Sequence, residues 1–179
     1  MEKILLIVNP VSGKKISKKL LPNTISELKN NNFKLKIIES EYKGHIEKIL
    51  NSYDIKNYDY CCIMGGDGSF HEAINGLMNR DDQFKIPLSL IPAGSGNSLA
   101  RDLNILDFEK AIKNIINRNI KNIDIAEISY NDQKIYSFNI VGWGMVANIG
   151  INAEKYRWLG ASRYTILSLL EIIFKKINN

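Results

Sequence analysis

Histidine, cysteine and long apolar runs are scarce in this 179-residue chain, and each scarcity removes a class of function. Only His45 and His71 are present, with no Cys or His cluster beside either, so a zinc site is not expected. The two cysteines, Cys61 and Cys62, are adjacent within an apolar run. Strand alternation points them to opposite faces, which is poor geometry for a bridge, and both read as reduced core residues. The longest late apolar run, Tyr164–Phe174, is interrupted by Glu171. It is too short to cross a hydrocarbon core of about 30 Å and reads as an amphipathic or buried helix, so no transmembrane segment is expected. MEKILLIVNP carries no small-residue cleavage site after its apolar stretch. A secretion signal is therefore not expected, and a cytoplasmic location is. Aromatic and basic residues do not interleave as a nucleic-acid platform requires, so nucleic acid is not an expected partner. Internal repeats and low-complexity linkers are also lacking.

Apolar residues at 45% and charged residues at 24% are globular values, and the net charge of +5 favours anionic partners such as nucleotides, phosphates or acidic lipid surfaces. Apolar runs ending in turns recur, ILLIVNPVSG, KLKIIES, YDYCCIMGGDG and PLSLIPAGSG, and three of the four carry glycines. Between them lie segments of helical spacing, ISELK, HIEKIL and FHEAINGLM. This alternation predicts an α/β fold, a parallel sheet covered by helices on both faces, with ligands at the carboxyl ends of the strands. After Arg118 the texture changes. Ile123–Ile128 and Lys134–Val141 read as strands joined by a hairpin-like loop at Tyr130–Gln133. Two regions follow: residues 1–119 as a nucleotide-binding domain, and residues 120–179 as the start of a β-rich second domain.

Three turns carry chemistry. In Gly65-Gly-Asp-Gly-Ser-Phe-His-Glu72, the glycines Gly65, Gly66 and Gly68 allow close backbone approach, and the following helix offers free N–H groups that suit a phosphate. A carboxylate there repels a phosphate unless it serves Mg²⁺ or accepts a proton from an attacking hydroxyl. Asp67 fits that role, and equally fits a carboxylate that satisfies turn or helix-start N–H groups. Ser69 and Glu72 have the spacing of a capping box. His71 reads as a surface or packing residue. In the second turn, Pro92-Ala-Gly-Ser-Gly-Asn-Ser98, Gly94 and Gly96 flank Ser95 so that donors can converge on an anion, and Asn97 or Ser98 can cap the next helix. The third turn, Val8-Asn-Pro-Val-Ser-Gly-Lys-Lys15, supplies Lys14 and Lys15. Lys15, Lys18 and Lys19 read as a solvated face. The chain contains neither G-x-x-x-x-G-K-[ST] nor the protein-kinase motif set, which excludes both of those phosphate-site classes. Gly142-Trp-Gly-Met-Val-Ala147 is a literal dinucleotide fingerprint that reads as a false positive, with bulky Trp143 between its glycines.

NPVSGK, GGDGSFHEAINGLM and PAGSGNSLARDL, in this order and spacing, resemble the catalytic domain shared by diacylglycerol, sphingosine and ceramide kinases. HEAINGLMNR together with PAGSGNSLA is most similar to the sphingosine (long-chain base) kinases. GWGMVANIGINAEKYRWLGASRY resembles the segment that opens the lipid-binding domain of sphingosine and ceramide kinases.

The resemblance implies an ATP-dependent lipid kinase that uses Mg²⁺ and phosphorylates the primary hydroxyl of a sphingoid base. Ceramide and diacylglycerol stand behind as acceptors. It implies Asp67 as proton acceptor within a substrate-contacting turn of Gly65, Gly66, Asp67 and Gly68. It implies nucleotide contacts at Asn9, Pro10, Val11, Ser40, Glu41, Tyr42, Lys43, Gly44, Glu72, Gly94, Ser95 and Gly96, and phosphate contacts at Arg157 and Arg163, whose planar guanidinium forks suit phosphoryl oxygens. The Mg²⁺ ligands are left unassigned. A lipid at a membrane surface is the expected partner, with peripheral membrane association and a homodimer among the expected states. In this resemblance Gly150 stands where the sphingosine kinases carry an acid that meets the lipid's amine or a nearby hydroxyl, which leaves the choice of lipid open. The chain also stops before the Asp-Gly-Glu element of the family's β-rich domain. Two other readings stay open: an inactive nucleotide-binding remnant or one piece of a split kinase, and a soluble kinase acting on NAD or a sugar phosphate.

Overall fold

A computed structural model describes residues 1–131, 133–139, 141, 152–153, 155–156 and 162–177. They fall into two compact units, Met1–Phe138 and Asn139–Asn179.

The first unit runs β1 (Lys3–Val8), a 3₁₀ turn (Ser12–Lys14), α1 (Ile16–Asn30), β2 (Lys34–Glu39), α2 (His45–Ser52), β3 (Tyr60–Gly65), α3 (Asp67–Met78), β4 (Leu88–Pro92), α4 (Ser98–Asp102), α5 (Phe108–Ile116), β5 (Ala126–Tyr130) and β6 (Gln133–Ser137). The first four strands form one parallel sheet in the order β2-β1-β3-β4. The runs of β1 and β3 form strands covered on both faces, which removes the need for polar alternation, whereas edge strand β2 alternates and is at most half-buried. In β1, Ile4 to Val8 are all fully buried. Leu5, Ile7, Cys61 and Ile63 pack on one side with α2 and α3, and Ile4, Leu6, Val8, Cys62 and Met64 pack on the other with α1 and α5. The α/β architecture with helices on both faces is therefore the one predicted.

Cys61 and Cys62 lie on opposite faces, both buried and free. Burial pushes both thiols up, that of Cys62 to about 12, so both stay protonated and unreactive at neutral pH.

β5 and β6 form an antiparallel hairpin that turns at Asn131, where φ is 47°. The paired part is shorter than the apolar runs, beginning at Ala126 opposite Ser137. Asn75 of α3 holds the hairpin in place of a further strand: its Oδ1 accepts from the Tyr136 N–H at 2.8 Å and its Nδ2 donates to the Tyr136 carbonyl at 2.8 Å. Both bonds are buried, so neither exchanges with water at low cost.

The second unit contains α6 (Ser162–Ile177), on which Ile166, Leu169 and Leu170 are exposed. Among the described residues, no helix is long and apolar enough to cross a membrane.

Arg80, 8% exposed, closes the far end of α2 and α3. Its guanidinium donates to the carbonyls of Leu50 (2.6 Å) and Tyr53 (2.9 Å) and forms a fork with Asp82 at 2.8 and 2.9 Å. Hydrogen bonding to Arg80 holds the Asp82 carboxyl far below the usual carboxylate range. A folded-state pKa below the unfolded value means that the pair stabilises fully above about pH 4–5 and that this contribution is lost as pH falls below the ordinary aspartate value of about 3.9. Arg80→Ala strands two buried carbonyls and is expected to lower unfolding stability by about 2–3 kcal/mol. Urea melts at pH 7 and pH 3 check both statements, with the gap between wild type and Asp82→Asn narrowing at the acid end.

Candidate active site

Four parallel strands place four carboxyl-terminal turns along one edge of the sheet: Asn9–Lys14 after β1, Ser40–Gly44 after β2, Gly66–Gly68 after β3 and Ala93–Asn97 after β4. Backbone bonds stitch the row together. Asn9 N–H donates to the Met64 carbonyl at 2.9 Å, Ser40 N–H to Val8 at 2.8 Å, and Ala93 N–H to Gly65 at 2.8 Å. The sequence-predicted residues Asn9, Ser40, Gly65, Gly66, Asp67, Gly68, Gly94, Ser95 and Gly96 are thereby gathered on one rim.

The central pair of turns is in backbone contact. A Cβ on Gly94 would lie 2.4 Å from the Gly66 Cα and 2.7 Å from the Asn97 Oδ1. Only glycine fits at this crossing. Asn97 fastens its own turn, its Oδ1 accepting from the Gly94 N–H and its Nδ2 donating to the Gly94 carbonyl, each at 2.9 Å.

Asp67 is the first residue of α3, with Gly66 at the N-cap. Its carboxylate reaches across to the start of α4. Oδ2 accepts from the Ser98 N–H at 3.0 Å, and Oδ1 accepts from the Ser98 hydroxyl at 2.8 Å and the Leu99 N–H at 3.2 Å. The start of α4 is thus satisfied by Asp67, and Asn97 at the N-cap makes no side-chain cap bond. Of the two readings of Asp67, the structure shows the one in which the carboxylate satisfies helix-start N–H groups, and the helix served is α4.

The capping box expected at Ser69 and Glu72 does not form. α3 begins at Asp67, so Ser69 already lies inside the helix, and its hydroxyl accepts from Asn9 Nδ2 at 2.9 Å. Glu72 turns outward to α2, where its Oε2 accepts from the Ile46 N–H at 3.3 Å. Ser69 and Glu72 therefore tie α3 to the turn after β1 and to the helix after the Ser40–Gly44 turn.

The remaining predicted positions are more open. Ser40 is buried, Glu41, Tyr42 and Lys43 are exposed and Gly44 is half-buried, with Tyr42 stacked on His45 at 4.5 Å between ring centroids. Pro10 is half-buried, and Val11 and Lys14 are exposed. Lys15, Lys18 and Lys19 are exposed, as predicted for a solvated face. His71 is half-buried on α3, 3.4 Å from the Asn75 amide. Arg163 lies in the second unit with its guanidinium over the Tyr164 ring at 4.7 Å and donating to the Tyr164 hydroxyl at 2.9 Å. Arg157, Gly150 and the Gly142–Ala147 fingerprint lie outside the described residues.

The first amides of α3 have no intrahelical partner and carry the positive end of a 12-residue helix, which suits an anion at this rim. A pocket of about 650 Å³ opens elsewhere in the same unit, beside β4, lined by Phe70, Ile74, Leu90, Leu99, Ile115 and Ile123 among others. Its largely apolar wall does not suit a triphosphate. Among the described residues, no three His, Cys, Asp or Glu side chains gather as a metal site. Mg²⁺ at nucleotide sites is held largely by phosphate oxygens and water. The described residues therefore build no Mg²⁺ cage, and no chemical step is assigned to the ion.

Residues 3–128 match the Diacylglycerol kinase catalytic domain. The chain belongs to that family. It is 35% identical to Sphingosine kinase 1 of Arabidopsis thaliana, over 96% of this chain and 37% of that protein. It is 29% identical to Sphingoid long chain base kinase 4 of Schizosaccharomyces pombe, over 90% of this chain and 36% of that protein. Among solved structures, a diacylglycerol kinase from Bacillus anthracis superposes with a TM-score of 0.63 at 29% identity, covering 74% of this chain and 45% of that one. The chain thus spans less than half the length of these three relatives.

Sequence reasoning offered Asn97 and Ser98 only as caps of α4 and missed Asn75, and each acts through a partner that the chain's local pattern does not announce. Gly94→Ala is expected to cost about 1–3 kcal/mol, because the new methyl meets backbone that must shift. Gly68→Ala, whose methyl meets nothing within 4 Å, is expected to leave stability unchanged or raise it by up to about 1 kcal/mol. Thermal or urea unfolding of the two variants makes the comparison.

Proposed function

We propose that this chain carries the nucleotide-binding part of an ATP-dependent lipid kinase whose acceptor is the primary hydroxyl of a sphingoid base. The observation that carries the reading is Asp67: a carboxylate held on the rim at a helix amino terminus, between the glycine-containing turns after β3 and β4, in a chain of the Diacylglycerol kinase catalytic domain family. The sphingoid-base choice is supported by the names of the two kinase relatives from Arabidopsis thaliana and Schizosaccharomyces pombe.

In this reading the triphosphate of ATP lies along Asn9–Val11, Gly94–Gly96 and the first amides of α3, with the Ser40–Gly44 turn and Glu72 beside the nucleoside. Arg157 and Arg163 remain the phosphate contacts that the family resemblance implies. Mg²⁺, when bound with the nucleotide, would supply charge neutralisation at the phosphates, and its protein ligands are left unassigned. The acceptor hydroxyl donates to Asp67. As its oxygen forms a bond to the γ-phosphorus, the bond from that phosphorus to the β,γ-bridging oxygen breaks, ADP leaves with the electron pair, and the hydroxyl proton passes to the Asp67 carboxylate. Backbone amides already oriented toward the rim offset charge on the transferred group without reorganising. The lipid is met at a membrane surface by peripheral contact, and residues 120–179 belong to the lipid-binding part.

Asp67→Asn tests the assignment. The amide retains the size of the side chain but cannot take the proton, and its NH₂ opposes one of the donors on α4. Turnover is expected to fall by about 10²-fold or more, with ATP binding retained within a few-fold. An assay with radiolabelled ATP and a panel of sphingosine, ceramide, diacylglycerol and NAD reads the acceptor. Phosphorylation of sphingosine that disappears in Asp67→Asn supports the reading. Labelling of ceramide or diacylglycerol alone replaces the sphingoid acceptor with that lipid, and labelling of NAD alone overturns the lipid-kinase reading.

A further inference from the structure

We propose that Ser98 is a positioning residue for phosphoryl transfer, and that Asp67 presents Oδ2, rather than Oδ1, to the acceptor hydroxyl. The inference rests on the reading of Asp67 as proton acceptor and adds which oxygen acts and what aims it.

The two carboxylate oxygens are unequally occupied. Oδ1 accepts from the Ser98 hydroxyl at 2.8 Å and from the Leu99 N–H at 3.2 Å. Oδ2 accepts only the Ser98 N–H at 3.0 Å among its hydrogen bonds to α4. A carboxylate oxygen has about two lone-pair directions, so Oδ1 is filled by these donors and Oδ2 retains one. The approach to Oδ2 passes Gly96, where a Cβ would stand 3.0 Å from that oxygen. The absence of a side chain at residue 96 keeps the accepting oxygen uncovered. On the other flank, a Cβ at exposed Gly68 would meet nothing within 4 Å.

Ser98 contacts both oxygens, one through its backbone and one through its hydroxyl, and so fixes the rotation of the carboxylate plane. The same arrangement suits the product. When the proton of the acceptor hydroxyl arrives on Oδ2, Oδ1 becomes the carbonyl oxygen of a neutral acid and keeps both of its donors, so no hydrogen bond to Oδ1 has to break during transfer. Loss of the Ser98 hydroxyl leaves the two backbone donors in place. The carboxylate then stays at the site but is less firmly aimed.

The test compares Ser98→Ala, Ser98→Thr, Gly96→Ala and Asp67→Asn with wild type in the intact kinase, using ATP and sphingosine. Ser98→Ala is expected to lower kcat about tenfold with both KM values within about twofold, the pattern of an interaction that matters in the transition state. Ser98→Thr, which restores a hydroxyl, is expected to return kcat to within about threefold of wild type. Gly96→Ala is expected to lower kcat by crowding Oδ2. A merely structural Ser98 would lower the unfolding temperature and leave kcat of the folded enzyme unchanged, and that result overturns the proposal, as does failure of Ser98→Thr to restore turnover. A dead Asp67→Asn beside a fully active Ser98→Ala overturns only this inference. Wild-type turnover in Asp67→Asn, or no turnover by wild type on sphingosine, ceramide or diacylglycerol, overturns the parent reading and this one together.

Discussion

The carboxylate of Asp67 bridges two turns that are 31 residues apart in sequence, and the arrangement of the rim depends on it. It begins α3 and completes the start of α4, so one anionic group sets the relative position of the two helices that follow β3 and β4. A short helix such as α4, five residues long, has little stability of its own and needs its first amides satisfied from outside. Asp67 supplies that from the strand-end rim, so under the proposed role the hydrogen bonds that hold the fold would also hold the proton acceptor.

The crossing of Gly66 with Gly94 makes that reach possible. With side chains at either position the turns would separate, and Asp67 could not meet Ser98 at hydrogen-bond distance. Ser69 and Glu72 extend the same scheme outward along α3, Ser69 to Asn9 and Glu72 to the start of α2. The amino-terminal turns of α3 thus serve as a hub to which the turn after β1, the helix after the Ser40–Gly44 turn and the start of α4 are each fastened by a side chain.

Much of this was legible in the sequence because it is local. The runs ILLIV and YCCIM are apolar on both faces, which only a covered parallel sheet permits, and glycine turns after them mark the strand ends where a site collects. Asp67 stood out as an acid among glycines. What was not legible is long-range. S-x-x-E spacing points to a capping box, yet α3 starts two residues before Ser69, so both side chains were released to other partners. Local rules likewise offered Asn97 or Ser98 as the cap of α4, and nothing near them in sequence announces that the cap arrives from Asp67. Asn75, in the middle of an apolar helix face, gives no sign that it stands in for a strand partner of Tyr136.

The central claim is that a triphosphate seats on the rim formed by the strand ends while the Asp67 carboxylate stays fastened to the start of α4. A crystal structure of the protein with a non-hydrolysable ATP analogue tests this most directly. The account predicts phosphate oxygens within hydrogen-bond distance of the first amides of α3 and of the Gly94–Gly96 turn, with Asp67 still accepting from Ser98. A nucleotide lodged away from that rim, for example in the apolar pocket beside β4, or an Asp67 side chain swung off Ser98 when the nucleotide is bound, would contradict it.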